Sequence, residues 1–194
     1  MKLVKMLVKW IAPILSFTSE ELWQNIQKLD SNSKLPESIF LTLWDDLSAE
    51  SSKLTADGFD LNFWENVVKI RTAVNKQLEA MRAAGDIGSA LQAEVVIFAD
   101  APNFAILRKI EQELKFVLIT SKASIKLLSD SDSNSSLKDT EIQGIKLGIN
   151  KSVDQKCVRC WHHDAQIGNN SDHPEICPRC INNVVGQGEV RLYA

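Results

Sequence analysis

All four cysteines of this 194-residue chain lie in its last 40 residues. Cys157 and Cys160 form one Cys-x-x-Cys pair, and Cys177 and Cys180 form a second pair after an interval of 16 residues. One such loop can direct two sulfur atoms at a metal ion, and two loops complete the tetrahedral shell that Zn²⁺ prefers. The spacing therefore predicts one zinc ion bound by these four cysteines.

Other uses of the same cysteines are two disulfides or two reactive dithiols. A thioredoxin-like site would need one pair to open a helix after a strand, and the presence of two similar pairs argues against it. His162, His163 and His173 are possible substitute ligands; otherwise they are surface residues or donors to phosphate. Because four sulfurs leave no open coordination position, the zinc ion is expected to be structural and not catalytic.

Two arginines and a tryptophan accompany the cysteines. Arg159 and Arg179 each precede the second cysteine of a pair, where they can offset the charge of the thiolates or contact phosphate. Trp161 follows the first pair directly. It either packs over the metal-binding turn or offers a stacking surface to an unpaired base. The residues alone leave both readings open for all three side chains.

Helical spacing dominates the first part of the chain. Leu3, Leu7 and Trp10 lie on one face of a predicted helix over residues 1–11, with lysines on another face. Pro13 is expected to bend or end this helix. An apolar stripe on a helix predicts a surface that packs against another element.

Two further helices are predicted from capping residues and apolar spacing. Thr18 is the expected N-cap of the second helix, and Glu21 completes a capping box. Asp60 is the expected N-cap of the third and longest helix, which Gly85 ends. The side chains expected to be buried are Leu22, Ile26 and Leu29 in the second helix and Phe63, Val67, Ile70, Val74, Leu78 and Met81 in the third.

The pattern changes to strands after residue 89. The stretches "AEVVIFA", "ASIKLL" and "GIKLGIN" predict three strands, and Pro102 begins a helix between the first two. The side chains that this helix is expected to bury are Leu107, Ile110, Leu114 and Val117. The apolar "SIFLTLW" near residue 40 is also expected to be extended, and residues 129–139 are expected to form a polar loop.

These patterns predict an α+β protein made of a mainly helical bundle, a small strand–helix–strand–strand unit and a four-cysteine zinc ribbon or knuckle. The expected domains are residues 1–88, 89–153 and 154–194. The formal net charge of -3 excludes a general attraction to nucleic acid, so such binding would depend on local features. No apolar run reaches the roughly 20 residues of a membrane span. Since the first residues also lack a secretory signal pattern, a cytoplasmic location is expected.

The segment "KCVRCWHH…HPEICPRCINNVVGQGEVRLYA" resembles the C-terminal zinc module of bacterial isoleucyl-tRNA synthetases. The resemblance extends upstream in the same order. "VKWIAPILSFTSEELW" and "VVKIRTAVNKQLEAMR" are similar to helices of that family's anticodon-binding bundle, and "LKFVLITS" is similar to the unit between the bundle and the zinc module. The chain is therefore expected to be a C-terminal fragment of such an enzyme.

The resemblance implies a function for the parent enzyme and a narrower one for this chain. The family consists of class I ligases that join isoleucine to its tRNA with ATP, and their zinc is structural. Motifs of the catalytic domain are absent from this sequence, so ATP and isoleucine would bind elsewhere in the parent, and the fragment would be inactive alone. Its expected partners are isoleucine tRNA, through the anticodon arm, and the rest of the synthetase. The residues expected to contact RNA are Arg159, Trp161, Arg179, Arg71, Lys69 and Lys76.

A free-standing zinc-ribbon protein that binds nucleic acid is the alternative function. A DNA glycosylase also ends in a four-cysteine ribbon, but the helical start of this chain disfavours that family. If helix 1–11 has lost the helices that precede it in the family, its apolar face is exposed. Self-association of the fragment through residues 1–30 is then expected.

Overall fold

A computed structural model describes residues 2–29, 34–45, 58–130 and 137–192 of the chain. The chain divides into two compact units, Met1–Gly58 and Phe59–Ala194, and each has its own apolar core. The predicted domain boundaries at residues 88 and 153 remain a prediction. Within the described residues, no helix has both the length and the apolar character needed to cross a membrane.

The first unit contains helices α1 (Lys2–Ile11) and α2 (Ser16–Leu29) and a 3₁₀ turn at Ile39–Leu41. The end of α1 before Pro13 confirms the predicted stop. Its small core contains Val8, Ala12, Trp23, Ile26 and Ile39. The Trp23 indole donates a hydrogen bond to the Pro36 carbonyl at 2.9 Å, so the segment after α2 is held against the two helices.

Several details of this unit differ from the sequence prediction. The second helix begins two residues before Thr18, because backbone hydrogen bonds already link Leu15 to Ile11 and Ser19 to Leu15; the predicted capping box is therefore wrong. Trp23 and Ser19 are buried beside Ile26, whereas Leu22 and Leu29 are exposed.

The stretch "SIFLTLW" is also not a strand. It forms the 3₁₀ turn, where the Ser38 hydroxyl accepts from the Phe40 N–H at 3.3 Å. This turn directs Ile39, only 2% exposed, into the core. The stretch "DSNSKLPES", whose composition predicts a loop, has its first four residues outside the described residues.

The second unit begins with the long helix α3 (Leu61–Ala83). Asp60 caps it as predicted, accepting the Phe63 N–H at 2.8 Å, and Gly85 follows its end with a φ of +81°. Five of the predicted apolar positions, all but Met81, are buried: Phe63, Val67, Ile70, Val74 and Leu78. They pack in one core with residues of the sheet, which ties α3 to the strands that follow.

A four-stranded mixed sheet forms the middle of the second unit. Its strands are β1 (Ala93–Ala99), β2 (Lys122–Leu127), β3 (Lys138–Asp139) and β4 (Ile145–Lys151), in the order β2-β1-β4-β3. The central strand β1 runs parallel to β2 and antiparallel to β4. The sequence predicted three of these strands and missed β3, which lies in the stretch expected to be a loop.

The connection between β1 and β2 is helical but broken. It consists of α4 (Ala101–Arg108), a 3₁₀ turn at Glu111–Glu113 and α5 (Leu114–Leu118), where one helix was predicted. Leu107, Ile110 and Leu114 are buried as expected, and Val117 is partly buried. Ile119 ends α5 in the left-handed conformation, at a φ of +58°, and turns the chain into β2.

The remaining residues have little regular structure apart from α6 (Pro178–Val185). Side-chain hydrogen bonds connect this segment to the sheet: Ser152 donates to Glu94 of β1 at 2.7 Å, and Lys122 of β2 donates to Asp154 at 2.6 Å. The His163 N–H also donates to Ser121, just before β2, at 2.6 Å. The α+β class predicted from sequence is confirmed.

Candidate metal centre and nucleic-acid interface

The four cysteine sulfurs converge at one point. The Sγ atoms of Cys157 and Cys180 are 3.8 Å apart, those of Cys160 and Cys177 are 3.6 Å apart, and all four lie within 4.8 Å of one another. Four sulfurs at about 2.3 Å from one zinc ion in a tetrahedron would be roughly 3.8 Å apart. The donor set and its spacing therefore fit one zinc ion, as the sequence predicted.

Each cysteine pair lies on a tight turn of backbone. The Trp161 N–H donates to the Cys157 carbonyl at 2.9 Å, and the Ile181 N–H donates to the Cys177 carbonyl at 3.0 Å. Cys177 is also the N-cap of α6. Among the residues that the structure describes, the core of this module contains Ile167 and Ile176 besides the four cysteines. Its few apolar side chains explain why a metal ion would contribute most of its stability.

The protonation of the thiols is uneven. Burial opposes ionisation of Cys157, but backbone N–H groups of Cys160, Cys177 and Arg159 lower its pKa to about 6. Burial raises the pKa of Cys160 and of Cys177. Because neighbouring thiolates repel each other, a second negative charge is disfavoured until a cation is present. A divalent ion would reverse this preference and displace the protons.

The two arginines next to the cysteines make different contacts. Arg159 Nη1 donates to Cys180 Sγ at 3.5 Å. Arg179 instead donates to both carboxylate oxygens of Glu189, at 2.5 and 3.0 Å. Both guanidinium groups are therefore engaged within the chain, and their predicted contacts with RNA stay predictions.

Sequence reasoning missed a cluster of cations around Phe116 of α5. The Arg179 and Arg191 guanidinium carbons lie 4.9 and 3.8 Å from the centre of its ring, and Lys115 Nζ lies at 5.1 Å. Cations are attracted to the face of an aromatic ring. No sequence pattern could have identified this cluster, because Arg179 and Arg191 are far from Phe116 in the sequence.

Trp161 does not pack over the metal-binding turn. Its side chain is 60% exposed, and its φ of +67° places a bulky residue in the left-handed region. Lys156 Nζ lies 5.4 Å from the ring centre. This backbone conformation costs free energy for a residue with a bulky side chain, and strain of this kind occurs often at functional positions.

The histidines do not join the sulfur cluster. His162 Nδ1 lies 3.3 Å from the Cys160 carbonyl and His163 Nδ1 lies 2.7 Å from the Asp154 carbonyl. Burial lowers the pKa of His162. The Nε2 atoms of His162 and His163 are buried without a partner among the described residues. No nitrogen of either ring therefore contacts a cysteine sulfur.

The three predicted RNA-binding residues of α3 lie in different surroundings. Lys69 and Lys76 line a shared groove with a volume of about 550 Å³, where Lys76 pairs with Glu141. Arg71 is partly buried outside that groove, and its Nε has no partner among the described residues. The structure thus brings two of the three together, and their role in binding RNA remains a prediction.

Comparison with known proteins identifies the class. Residues 1–97, half of the chain, match the family described as "Anticodon-binding domain of tRNA ligase". The chain belongs to this family. Residues 154–183 match a second family, "Zinc finger found in FPG and IleRS", and this match includes all four cysteines.

The particular relatives are isoleucine–tRNA ligases. The chain is 46% identical over 190 residues to the enzyme of Azotobacter vinelandii. The aligned region covers 97% of this chain and 19% of that enzyme. Identity is 43% to the enzyme of Methylococcus capsulatus and 41% to that of Haemophilus influenzae. The chain thus spans about a fifth of the length of the relatives it matches. These matches confirm the resemblance seen in the sequence and support one structural zinc ion.

Proposed function

We propose that this chain is the tRNA-binding segment of an isoleucine–tRNA ligase and that it contacts the anticodon arm. The parent enzyme would attach isoleucine to its tRNA with ATP, and both small molecules would bind outside this segment. The anticodon-family match over residues 1–97 favours this function over a free-standing zinc ribbon or a DNA glycosylase. The tRNA and the rest of the synthetase would be its partners.

In this proposal Cys157, Cys160, Cys177 and Cys180 are the zinc ligands. When bound, zinc supplies folding free energy, on the order of 10 kcal/mol in comparable peptides. The ion would fix the turn that carries Trp161 next to Cys160. The metal thereby acts on RNA binding indirectly, by holding the tryptophan in position.

The exposed Trp161 ring is the observation that carries the RNA-binding proposal. Anticodon loops present unstacked bases, and proteins commonly stack aromatic side chains on them. Trp161 offers such a ring, 60% exposed, with the Lys156 ammonium 5.4 Å from its centre. That ammonium would lie close to the backbone phosphates of a stacked nucleotide.

Electrostatic attraction would contribute little to this binding. From Lys156 to Ala194 the sequence has four basic and four acidic side chains, and Arg179 is already paired with Glu189. Affinity for nucleic acid rises with the number of phosphates that are neutralised. The segment alone would therefore bind tRNA weakly and in a salt-dependent manner.

The test is a tRNA-binding titration of Trp161→Ala, with Val190→Ala as the control. Val190 is also exposed, at 86%, but it has no ring and lies outside the anticodon-family match. Loss of one stacked base is expected to cost roughly 1–3 kcal/mol, or about 5- to 150-fold in affinity. Equal affinity of Trp161→Ala and wild type, or equal binding of an unrelated tRNA, would contradict the proposal.

We further infer that an apolar ridge on the first unit binds another protein surface. The ridge consists of Leu3, Leu7, Trp10, Ile14 and Phe17, whose exposed fractions are 79, 55, 45, 83 and 93%. In the parent enzyme the preceding part of the synthetase would cover it. When the chain is alone, a second copy would take that place, because contiguous exposed apolar area favours association.

A further inference from the structure

We infer that Arg159 is part of the metal centre: its guanidinium offsets the charge of the sulfur cluster and holds Cys180 in position for the metal. The two cysteine pairs have the same pattern, with an arginine before the second cysteine. If both arginines served the same purpose, they would make equivalent contacts. Only Arg159 reaches a sulfur.

The contact of Arg159 crosses between the two pairs. Arg159 lies in the first Cys-x-x-Cys turn, whereas the sulfur it reaches belongs to Cys180 of the second, 3.5 Å from Nη1. Hydrogen bonds from outer side chains orient the groups that bind a metal and tune their charge. A contact of this kind fixes the position of the second turn relative to the first.

Charge gives this contact its strength. Four thiolates around a divalent ion leave a net charge of about -2, and Cys180 is almost fully buried. A charged donor forms stronger hydrogen bonds than a neutral one. The guanidinium of Arg159 stays protonated in proteins, so its positive charge is permanent.

Arg179 provides the internal comparison. Arg179 donates two hydrogen bonds to Glu189, and its guanidinium lies against the ring of Phe116. Its role is thus to hold the segment after α6 and not to contact sulfur. Two arginines at equivalent sequence positions therefore have separate tasks, which makes Arg179 a matched control for Arg159.

The test measures zinc affinity by competition with a chromophoric chelator for wild type, Arg159→Gln, Arg159→Lys and Arg179→Gln. Removal of an outer-shell partner commonly weakens metal binding 10- to 100-fold. Because Arg159 is solvent-exposed, we expect about tenfold for Arg159→Gln, partial recovery in Arg159→Lys and less than twofold for Arg179→Gln. Equal zinc affinity of Arg159→Gln and wild type would overturn the inference.

A spectroscopic measurement distinguishes a change at the metal centre from a general loss of folding. Cobalt bound to four thiolates has intense charge-transfer absorption, and we expect Arg159→Gln to shift this band while retaining tetrahedral cobalt. An unchanged band would count against a contact at the metal centre.

The inference rests on the proposed zinc site, and its failure can be distinguished from failure of that site. If wild type binds no zinc, the site itself is refuted; if wild type binds one ion and Arg159→Gln binds it equally well, only the role of Arg159 is refuted. If Arg159→Gln loses tRNA affinity but keeps its zinc affinity, Arg159 is an RNA contact, which also overturns the inference.

Discussion

Arg179 and Glu189, ten residues apart in the sequence, form a bidentate ion pair with N–O distances of 2.5 and 3.0 Å. Arg191 adds a second guanidinium to the same carboxylate, at 2.9 Å. The two arginines also lie against Phe116. The residues after α6 are therefore fastened to α5 by a combination of ionic and aromatic contacts.

This ion pair predicts a pH dependence for Glu189. Hydrogen bonds from Arg179, assisted by Arg191 and opposed by partial burial, lower its pKa from 4.5 to about 2. Because the folded-state pKa is the lower one, the stabilisation is fully present above about pH 4.5 and is lost as the pH falls toward 2. Carboxyl NMR of zinc-loaded protein, followed from pH 7 down to the pH at which zinc is released, should find Glu189 ionised throughout. In Arg179→Gln its pKa should rise toward 4.5.

A titration midpoint near 4.5 in wild type would contradict this prediction. As a control, Glu189→Gln should lower the free energy of unfolding by about 1 kcal/mol at both pH 7 and pH 5, because the ion pair is partly exposed and fully charged at both.

The left-handed backbone at Trp161 predicts different effects for two substitutions. Glycine adopts a φ of +67° without strain, whereas alanine keeps a penalty of about 1 kcal/mol. Trp161→Gly should therefore be more stable than Trp161→Ala by about that amount, measured by denaturant unfolding with zinc bound. Both should lose tRNA affinity equally, since neither has a ring; equal stability would indicate that the turn relaxes.

Two glycines provide a matched test of packing. Gly144 and Gly85 have similar φ values of +79° and +81°. A Cβ added to Gly144 would lie 2.0 Å from Asp100 Oδ2, whereas a Cβ added to Gly85 would meet no atom of a non-neighbouring described residue within 4 Å. Asp100 caps α4 by accepting the Asn103 N–H at 3.0 Å. Gly85→Ala should cost about 1 kcal/mol of unfolding free energy, and Gly144→Ala about 2–3 kcal/mol because the cap is also displaced. Equal losses in thermal unfolding would argue against the clash.

Zinc removal should unfold the metal module selectively. Chelation at neutral pH should expose amide hydrogens of residues 157–185 to exchange, because the module has few apolar side chains besides its sulfurs. The amides of β1 should remain protected by its two neighbouring strands. Cys177→Ser with excess zinc should behave like the chelated protein. Metal-free protein with full protection of α6 would refute a structural role of zinc.

The apolar ridge on the first unit predicts self-association that charged residues abolish. Leu7→Glu combined with Ile14→Glu should weaken the dimer by at least tenfold, since burial of one such side chain contributes roughly 1.5–3 kcal/mol. Sedimentation velocity over a range of concentrations gives the measurement. The control Val8→Ala changes a core residue that is 3% exposed; it should lower stability and leave association intact. A monomeric wild type would contradict the prediction.

Sequence patterns predicted the second unit better than the first. The Asp60 cap, the strand β1 and all predicted apolar positions of α3 except Met81 agree with the structure. The apolar residues of α3 lie on one face, and those of β1 form a nearly continuous run. In α1, by contrast, Leu3, Leu7 and Trp10 are exposed while Met6 and Val8 are buried. Periodicity identifies a helix but cannot decide which of two apolar faces packs inward.

The metal centre could be predicted because its ligands are close in sequence and chemically specific. The contacts of Arg159 and Arg179 could not, since the two arginines occupy equivalent sequence positions and differ only in three-dimensional surroundings. Phe116 illustrates the same limit of local patterns: its cationic neighbours Arg179 and Arg191 follow it only after β2, β3 and β4.

The central position of β1 in the sheet has a consequence for biosynthesis. Both strands that pair with β1 come later in the chain. The edge of β1 that faces β4 therefore stays unpaired in the nascent polypeptide until residue 151 has left the ribosome, even if β2 has already paired with the other edge. Because unpaired apolar strands are prone to aggregate, a pause in translation between residues 127 and 145 would prolong the period in which this edge is exposed.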